Sequence, residues 1–312
     1  MKTIDDIRIK LLFCGAGVAC ALALTAGPMA AATVMSTLTP DTPAEAAARP
    51  VTTERLEQAI SADDKPGVLS RAHGARAALE LPDGVQSRAV HVKDRGRTVE
   101  YDEVVEEDAA GRPVALTQLD ARGQLLMAAR FDAPAKGKAA PDRGQALKKA
   151  AAGAAAAGIG VQGQGETSEA ASGGWDVVWT RVENGTRVRG DEVRVHVRED
   201  GVIGSVGQVN HPLAALPSTR LSRAQAKVMA GEQTRRWSDN AAVDFSVGDA
   251  ELLWVGPNAA FDASKIGAAE QPYRLSWVVN VTPQGDAASS VRQVVLFLDA
   301  GDGSLIGGDV VE

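Results

Sequence analysis

The side chains in this sequence that could support metal or nucleophilic chemistry are its histidines, cysteines and serines. A zinc peptidase needs two histidines one helical turn apart with a glutamate between them, because both imidazoles must reach one metal ion from one helix face. The four histidines are instead isolated from one another: His73, His91, His196 and His211. We therefore expect no metal-binding residue.

Nucleophile and cofactor motifs are equally hard to find. The sequence has no Gly-x-Ser-x-Gly elbow to present a serine. Cys14 and Cys20 both fall in the first apolar run, so the rest of the chain has no thiol. Residues 158–163 match the spacing of a dinucleotide-binding loop, but they follow a predicted helix, whereas that loop follows a strand. We expect no catalytic residue and no cofactor.

Carboxylates cluster at the end of one predicted strand, at Glu103, Glu106, Glu107 and Asp108. A solvated strand edge that discourages pairing with other chains is one interpretation. A cation site is another, although a calcium loop would place alternating Asp or Asn ligands around a glycine. A secreted hydrolase using Glu103, Glu106 or Asp108 is a third, but strand alternation sends neighbouring side chains to opposite faces.

Composition limits the class of protein. The chain has 312 residues, which suggests two or three domains. Its 33 basic and 40 acidic residues give a net charge of -7. Nucleic-acid binding needs a basic face that neutralises phosphates, so we expect no nucleic-acid partner.

The first 32 residues read as a secretory signal. The apolar run from Leu11 to Gly27 follows Lys2, Arg8 and Lys10 and precedes the small residues 30–32. We expect cleavage near residue 32 and a secreted or cell-envelope protein. An uncleaved membrane anchor reaching Met35 remains the alternative, and it would be the only contact with a membrane. Residues 33–50 are predicted to be a spacer.

Residues 51–133 are predicted to form an N-terminal α+β unit. Leu56 and Ile60 lie four apart, which favours a helix over residues 53–60, and residues 68–79 add a second helical stretch. Alternating residues separated by turn signals then predict a four-stranded meander. Its strands are Val85–Val92, Thr98–Val105, Pro113–Leu119 and Gln124–Phe131.

Residues 134–215 are predicted to form a second unit. An alanine-rich helix at Arg143–Gly158 precedes a meander over Trp175–His211. Within the meander, valines at 193, 195 and 197 alternate with Arg194, His196 and Arg198, so one face is buried. Its tight turns are Asn184-Gly185, Gly190-Asp191 and Asp200-Gly201.

Residues 216–312 repeat this order. Ser222 and Gln225 form a predicted capping box that opens a helix ending near Arg236. Strands are predicted at 251–255, 273–281, 291–299 and 304–311. We therefore predict an α+β fold of tandem repeats, each with one helix packed on a roughly four-stranded antiparallel sheet. Whether residues 51–133 are a true third copy is left open.

The second and third units resemble the PepSY and thermolysin-type propeptide domains. In the second, the resemblance rests on the order of a tryptophan, an arginine and the turns that follow: Trp179, Arg181, Asn184, Gly185, Gly190, Asp191, Asp200 and Gly201. In the third it rests on the helix start and on strand residues that lead into the last turn: Trp277, Asp299 and Gly303.

This resemblance implies a non-enzymatic protein that binds and restrains or chaperones a peptidase. The sequence ends at Glu312 directly after the last such strand, so we expect it to act in trans on an envelope or secreted peptidase. The row Arg194, His196 and Arg198 is a possible partner face, although a solvated sheet face gives the same pattern. A structural or sensory envelope protein is the alternative function, with the hydrolase as a further one.

Overall fold

A computed structural model describes residues 55–82, 85–94, 99–237, 244–260, 271–284 and 291–311. The predicted signal, the spacer, Cys14 and Cys20 lie outside these residues. No helix in the described part is both long and apolar enough to span a membrane.

The described residues form three helices and thirteen strands. The helices are α1 (Lys65–Ala78), α2 (Arg143–Ala156) and α3 (Arg223–Trp237). The strands are β1 (Arg55–Ala59), β2 (Gln86–Asp94), β3 (Val99–Glu107), β4 (Pro113–Leu119), β5 (Leu125–Arg130), β6 (Glu166–Glu169), β7 (Trp175–Glu183), β8 (Thr186–Val197), β9 (Ile203–Val209), β10 (Phe245–Val255), β11 (Arg274–Pro283), β12 (Gln293–Asp299) and β13 (Leu305–Val311).

The predicted fold of helix-plus-four-strand repeats is wrong. Hydrogen bonds join all thirteen strands into one mixed sheet in the order β1-β2-β3-β4-β5-β9-β8-β10-β11-β12-β13. Strand β7 also pairs with β8, and β6 pairs with β7. The strands of successive predicted repeats therefore share one sheet instead of closing separate ones. Local alternation fixes where strands occur, but the partner of each strand depends on contacts distant in sequence.

The described residues divide into two compact units. The N-terminal unit comprises residues 55–179 and 193–208, and the C-terminal unit comprises residues 180–192 and 209–311. The hairpin of β7 and β8 contributes its tip to the C-terminal unit and its base to the N-terminal unit.

Two helices share one core in the N-terminal unit. Ala72 and Ala75 of α1 and Ala146 and Ala150 of α2 are buried in the same hydrophobic cluster, with side chains from β2–β5 and β7–β9. The helices can approach closely because Gly74 has no side chain, and a Cβ there would lie 2.8 Å from the Ala156 carbonyl oxygen. This shared core explains why the prediction of one helix per sheet fails.

The C-terminal unit places α3 on one face of its strands. Ala226 and Ala230 pack with Val279 and Leu296. Ser222 caps the helix as predicted, since its Oγ accepts from the Gln225 backbone N–H at 3.3 Å while the Gln225 side chain accepts from the Ser222 N–H. Strands β10–β13 pair antiparallel to their neighbours along the chain.

Most other predicted elements are confirmed within a few residues, and two are not. The helix predicted at 53–60 is wrong, because residues Arg55–Ala59 form β1 and pair with β2. Strand β6 lies between the predicted helix at Arg143–Gly158 and the predicted meander at Trp175–His211, where the sequence predicted no strand. Both strands are short, and pairing with a neighbouring strand stabilises them more than their own residue preferences do.

Candidate functional site

The tip of the β7–β8 hairpin has the turn that its sequence predicts. Asn184 and Gly185 both adopt positive φ, 49° and 76°, as a two-residue hairpin turn of this kind requires. Gly190 also has positive φ, at 81°, but Gly190 and Asp191 lie inside β8, so the tight turn predicted there is wrong. These glycines serve the backbone, so this part of the signature is structural.

Asp191 is a buried carboxylate that joins the hairpin to the chain after β9. Its side chain is fully buried and accepts from Arg181 Nη1 at 3.0 Å. It also accepts from the backbone N–H of His211 at 2.9 Å and from His211 Nδ1. Arg181 further donates to the His211 carbonyl oxygen at 2.8 Å. The sequence-predicted residues Arg181 and Asp191 are therefore brought together.

The ring of His211 is held on its other side by Tyr273. The two rings stack with centroids 4.3 Å apart and an interplanar angle of 11°. The Tyr273 N–H donates to the Pro212 carbonyl, and its own carbonyl accepts from the Ala214 N–H, both at 2.8 Å. Together these contacts make a structural clasp that fixes residues 210–214.

The remaining signature residues also support the fold. Trp179 lies in the core of the N-terminal unit. Trp277 donates its indole N–H to the Leu221 carbonyl oxygen at 3.0 Å, at the start of α3. Asp299 accepts from the Gly301 N–H at 2.8 Å in the final hairpin, where Gly303 has a φ of 74°.

The predicted partner face on β8 is only partly accessible. Arg194 is exposed, whereas His196 Nδ1 lies 3.0 Å from Asp176 Oδ1 and its ring is half-buried. Arg198 is buried, at 8% exposure, and cannot offer its guanidinium to a partner. The three side chains follow the predicted alternation, but only Arg194 lies open to solvent.

Arg198 belongs to an ion-pair network that the sequence did not indicate and that is buried at Arg198 and Asp200 but exposed at Asp132. It donates to Asp200 at 2.6 and 3.3 Å and to the carbonyl and carboxylate oxygens of Asp132 at 3.0 and 3.2 Å. Arg130 also pairs with Asp132, at 2.5 Å, and donates to the Leu79 carbonyl oxygen at the end of α1. The network thus ties the β8–β9 turn to the end of β5 and to α1.

Hydrogen bonds lower the pKa of Asp200 to about 2. Burial by itself would raise this pKa, because a charged carboxylate is poorly solvated there. The Arg198 side chain and the backbone N–H groups of Ala135 and Val202 outweigh burial by donating to the ionised form. The pKa of Asp132 is also lowered, since Arg130 and Arg198 outweigh the effect of its burial.

The carboxylates of β3 do not converge on one site. Glu103 accepts from Gln118 Nε2 at 3.2 Å, while Glu106 accepts from Ser87 Oγ at 2.8 Å. Residues three apart on a strand point to opposite faces, so these two glutamates cannot flank one substrate. Asp108 instead closes the next turn, and hydrogen bonds from the backbone and side chain of Arg112 lower its pKa.

No group of three or more histidine, cysteine, aspartate or glutamate side chains is placed to hold a metal ion within the described ranges.

The sheet edge at β13 is closed by a single side chain. Asn258 donates to the Gly308 carbonyl at 2.9 Å and accepts from the Gly308 N–H at 3.0 Å, while its own N–H donates to the Ile306 carbonyl at 3.0 Å. Asn258 can lie this close because residue 307 is glycine, where a Cβ would come within 2.5 Å of Asn258 Oδ1. The outward main-chain groups in the middle of β13, at Ile306 and Gly308, are therefore occupied.

The sheet edge at β1 is open among the residues that the structure describes. Strand β1 pairs only with β2, and its register covers Val90–Asp94 of that strand. Residues Gln86–Ala89 of β2 thus pair with β3 but have no described strand on the other side. We call the outer side of β1 together with Gln86–Ala89 the docking edge.

Two open clefts lie beside α1, close to the docking edge. The first, of about 460 Å³, is lined by β1 residues, the start of α1, Arg71, His91 and Asp102. His91 Nδ1 lies 2.9 Å from Asp102 Oδ1, and Arg71 lies 3.7 Å from the other oxygen of Asp102.

The second cleft, of about 470 Å³, lies along α1 and contains the buried Glu106. It is lined by Pro66, Leu69, Ser70, Ala72, His73, Arg76, Ser87 and Glu106. Sequence reasoning singled out Glu106 as a carboxylate but missed Arg76. No feature of the sequence predicts that these two residues, one on a helix and one on a strand, line the same cleft.

Comparison with known proteins finds a weak structural similarity but no match by sequence. No protein-family model and no curated protein matches the sequence. A solved structure, the Bacillus megaterium YpeB C-terminal domain, is similar to this chain at 16% identity and a TM-score of 0.40. The match covers 82% of this chain and 99% of that one. A score this low carries no argument about function, so the resemblance to PepSY domains stays a prediction.

Proposed function

We propose that this protein is a non-enzymatic binding protein that accepts an extended segment of a partner at its docking edge. The observation that carries the proposal is the contrast between two sheet edges. Asn258 bonds the outward main-chain groups of Ile306 and Gly308 in the middle of β13, whereas the docking edge has no described strand beside it. An open edge offers the N–H and C=O groups that strand addition requires.

The partner in this proposal is a secreted or envelope peptidase, which the protein restrains or chaperones in trans. The resemblance of the second and third predicted units to propeptide domains supports that choice. The predicted secretory signal supports binding between the two proteins outside the cytoplasm. Strand addition depends on main-chain hydrogen bonds more than on special side chains, so the docking edge needs no catalytic or charged residue to bind such a partner.

The test combines an activity assay with hydrogen exchange. Purified protein is added to a thermolysin-type metallopeptidase, and cleavage of a fluorogenic peptide is followed as the protein concentration rises. We expect a saturable fall in activity and slower amide exchange in residues 55–59 and 86–89. Unchanged activity together with unchanged exchange at these residues would contradict the proposal.

Proline variants show whether the docking edge is the contact. Successive N–H groups of a strand point to opposite sides, so one of Glu57→Pro and Gln58→Pro removes an outward N–H while β1 keeps its bonds to β2. The variant that keeps the wild-type thermal midpoint should lose the inhibition. Val310→Pro is the matched control, because its outward N–H lies on β13, and it should inhibit as the wild type does.

A further inference from the structure

Glu106 and Arg76 form a separated ion pair in the second cleft. The Glu106 side chain is 4% exposed, and its Oε2 lies 3.9 Å from Arg76 Nη1. That distance is too long for a hydrogen bond. Glu106 has one hydrogen bond, from Ser87, and the Arg76 guanidinium donates none to any described residue.

Both groups have unused hydrogen-bonding capacity. A carboxylate accepts up to about four hydrogen bonds and a guanidinium donates up to five. Glu106 is the buried member, and a buried charged group is normally paired and hydrogen-bonded because leaving it incompletely bonded is costly. Arg76 is 31% exposed, so its guanidinium faces the cleft. Because the pair lines an open cleft of about 470 Å³, a group from outside can reach both partners.

The opposite charges of Arg76 and Glu106 determine which chemical group of a ligand can bind both side chains. A carboxylate ligand would be attracted by Arg76 but repelled by Glu106, and an ammonium group would meet the reverse. A primary carboxamide carries an oxygen that accepts from the guanidinium and an NH2 that donates to the carboxylate. It satisfies both partners without adding charge.

The rest of the cleft suits the side chain of a peptide residue. Pro66 and Leu69 provide apolar contact for its methylene groups, and His73 and Ser70 lie at the same wall of α1. Ser87, which holds Glu106, belongs to the part of β2 that has no described strand on its outer side. A strand paired there would run beside the cleft.

We propose that the second cleft binds the carboxamide of a glutamine or asparagine on the extended segment that pairs with the docking edge. This inference rests on the proposed function only for the source of the segment. The carboxamide recognition itself needs no peptidase, so it can be tested alone.

The experiment is an NMR titration of 15N-labelled protein with three blocked tripeptides, Ala-Gln-Ala, Ala-Glu-Ala and Ala-Lys-Ala. The amide signals of Ser70, His73 and Ser87 report binding. We expect the glutamine peptide to bind about tenfold more tightly than either charged peptide. Equal binding of all three peptides, or no binding by any of them, would overturn the inference. Water molecules would then complete the hydrogen bonds of Arg76 and Glu106.

Two variants should change this preference in opposite directions. Glu106→Gln removes the negative charge, so the Ala-Glu-Ala peptide should become the tightest ligand. Arg76→Met removes the positive charge, so Ala-Lys-Ala should do so. If either variant does not fold, the order of the three peptide affinities for the wild-type protein still tests the inference. Carboxamide binding without peptidase inhibition would reject the proposed function alone.

Discussion

Asp200 should contribute about 2 kcal/mol to the free energy of unfolding at neutral pH, and Asp200→Asn tests this. The substitution keeps the shape of the side chain but replaces an acceptor with an NH2 group. That NH2 group would point at another hydrogen-bond donor, either the Arg198 guanidinium or the Ala135 N–H. The buried network would thus lose its charge pair and gain an unfavourable contact.

The magnitude follows from the pKa. Folding lowers the pKa of Asp200 from 3.8 to about 2. Each unit corresponds to about 1.4 kcal/mol, so the ionised group stabilises the native state by about 2 kcal/mol. The side chain is 1% exposed, so solvent screening does not reduce this value greatly.

The sign of the pH dependence is set by the direction of that shift. A carboxyl group with a lowered native pKa stabilises the fold above its unfolded pKa of 3.8, and the stabilisation disappears as the pH falls through about 2. At about pH 3 roughly half should remain. The difference between wild type and Asp200→Asn should therefore shrink steadily below about pH 4.

Urea unfolding of both proteins at several pH values measures this difference. Asp120→Asn is the matched control, because Asp120 accepts two backbone N–H bonds in a similar Asp-to-Gly turn but forms no ion pair with a described residue. It should change stability by less than about 0.5 kcal/mol. Equal effects of the two substitutions at neutral pH, or a difference that does not fall with pH, would refute the reasoning.

Three further substitutions test other contacts. Asp191→Ala should lower the free energy of unfolding by about 3 kcal/mol in a urea titration, because it leaves Arg181 and His211 without their buried acceptor; an effect below about 1 kcal/mol would contradict the clasp. Asn258→Ala should open the β13 edge and cause concentration-dependent association by light scattering, whereas a protein that stays monomeric would show that the edge needs no cover. Trp277→Phe should cost about 1 kcal/mol in its lost hydrogen bond, a loss that Trp254→Phe does not incur because the Trp254 N–H has no described partner; identical losses in calorimetry would argue against that difference.

Local backbone features could be predicted from the sequence because they depend on neighbouring residues. The Asn184-Gly185 turn needs positive φ at two positions, which few other residue pairs provide. The Ser222 cap depends only on residues within one helical turn. Strand β4 follows from side chains that alternate between buried and more accessible positions.

The candidate site depended on contacts distant in sequence. Arg198 and Arg194 lie on the same face of β8 by strand alternation. Arg198 is nevertheless buried, because the fold brings Asp132 and Asp200 to its guanidinium. The pair of Arg76 and Glu106 joins a helix to a strand thirty residues later along the chain. Neither residue carries a local signal that identifies its partner.

The sequence by itself therefore determined the three helices, most strands and the hairpin turns at Asn184-Gly185 and Asp200-Gly201. Only the tertiary structure decided how the strands join, that α1 and α2 share one core, and that β1 lies at an edge of the sheet with no described strand beside it. The physical reason is that alternation and turn chemistry act over a few residues. Strand pairing, edge closure by Asn258 and burial of Arg198 depend on residues that the folded chain brings together.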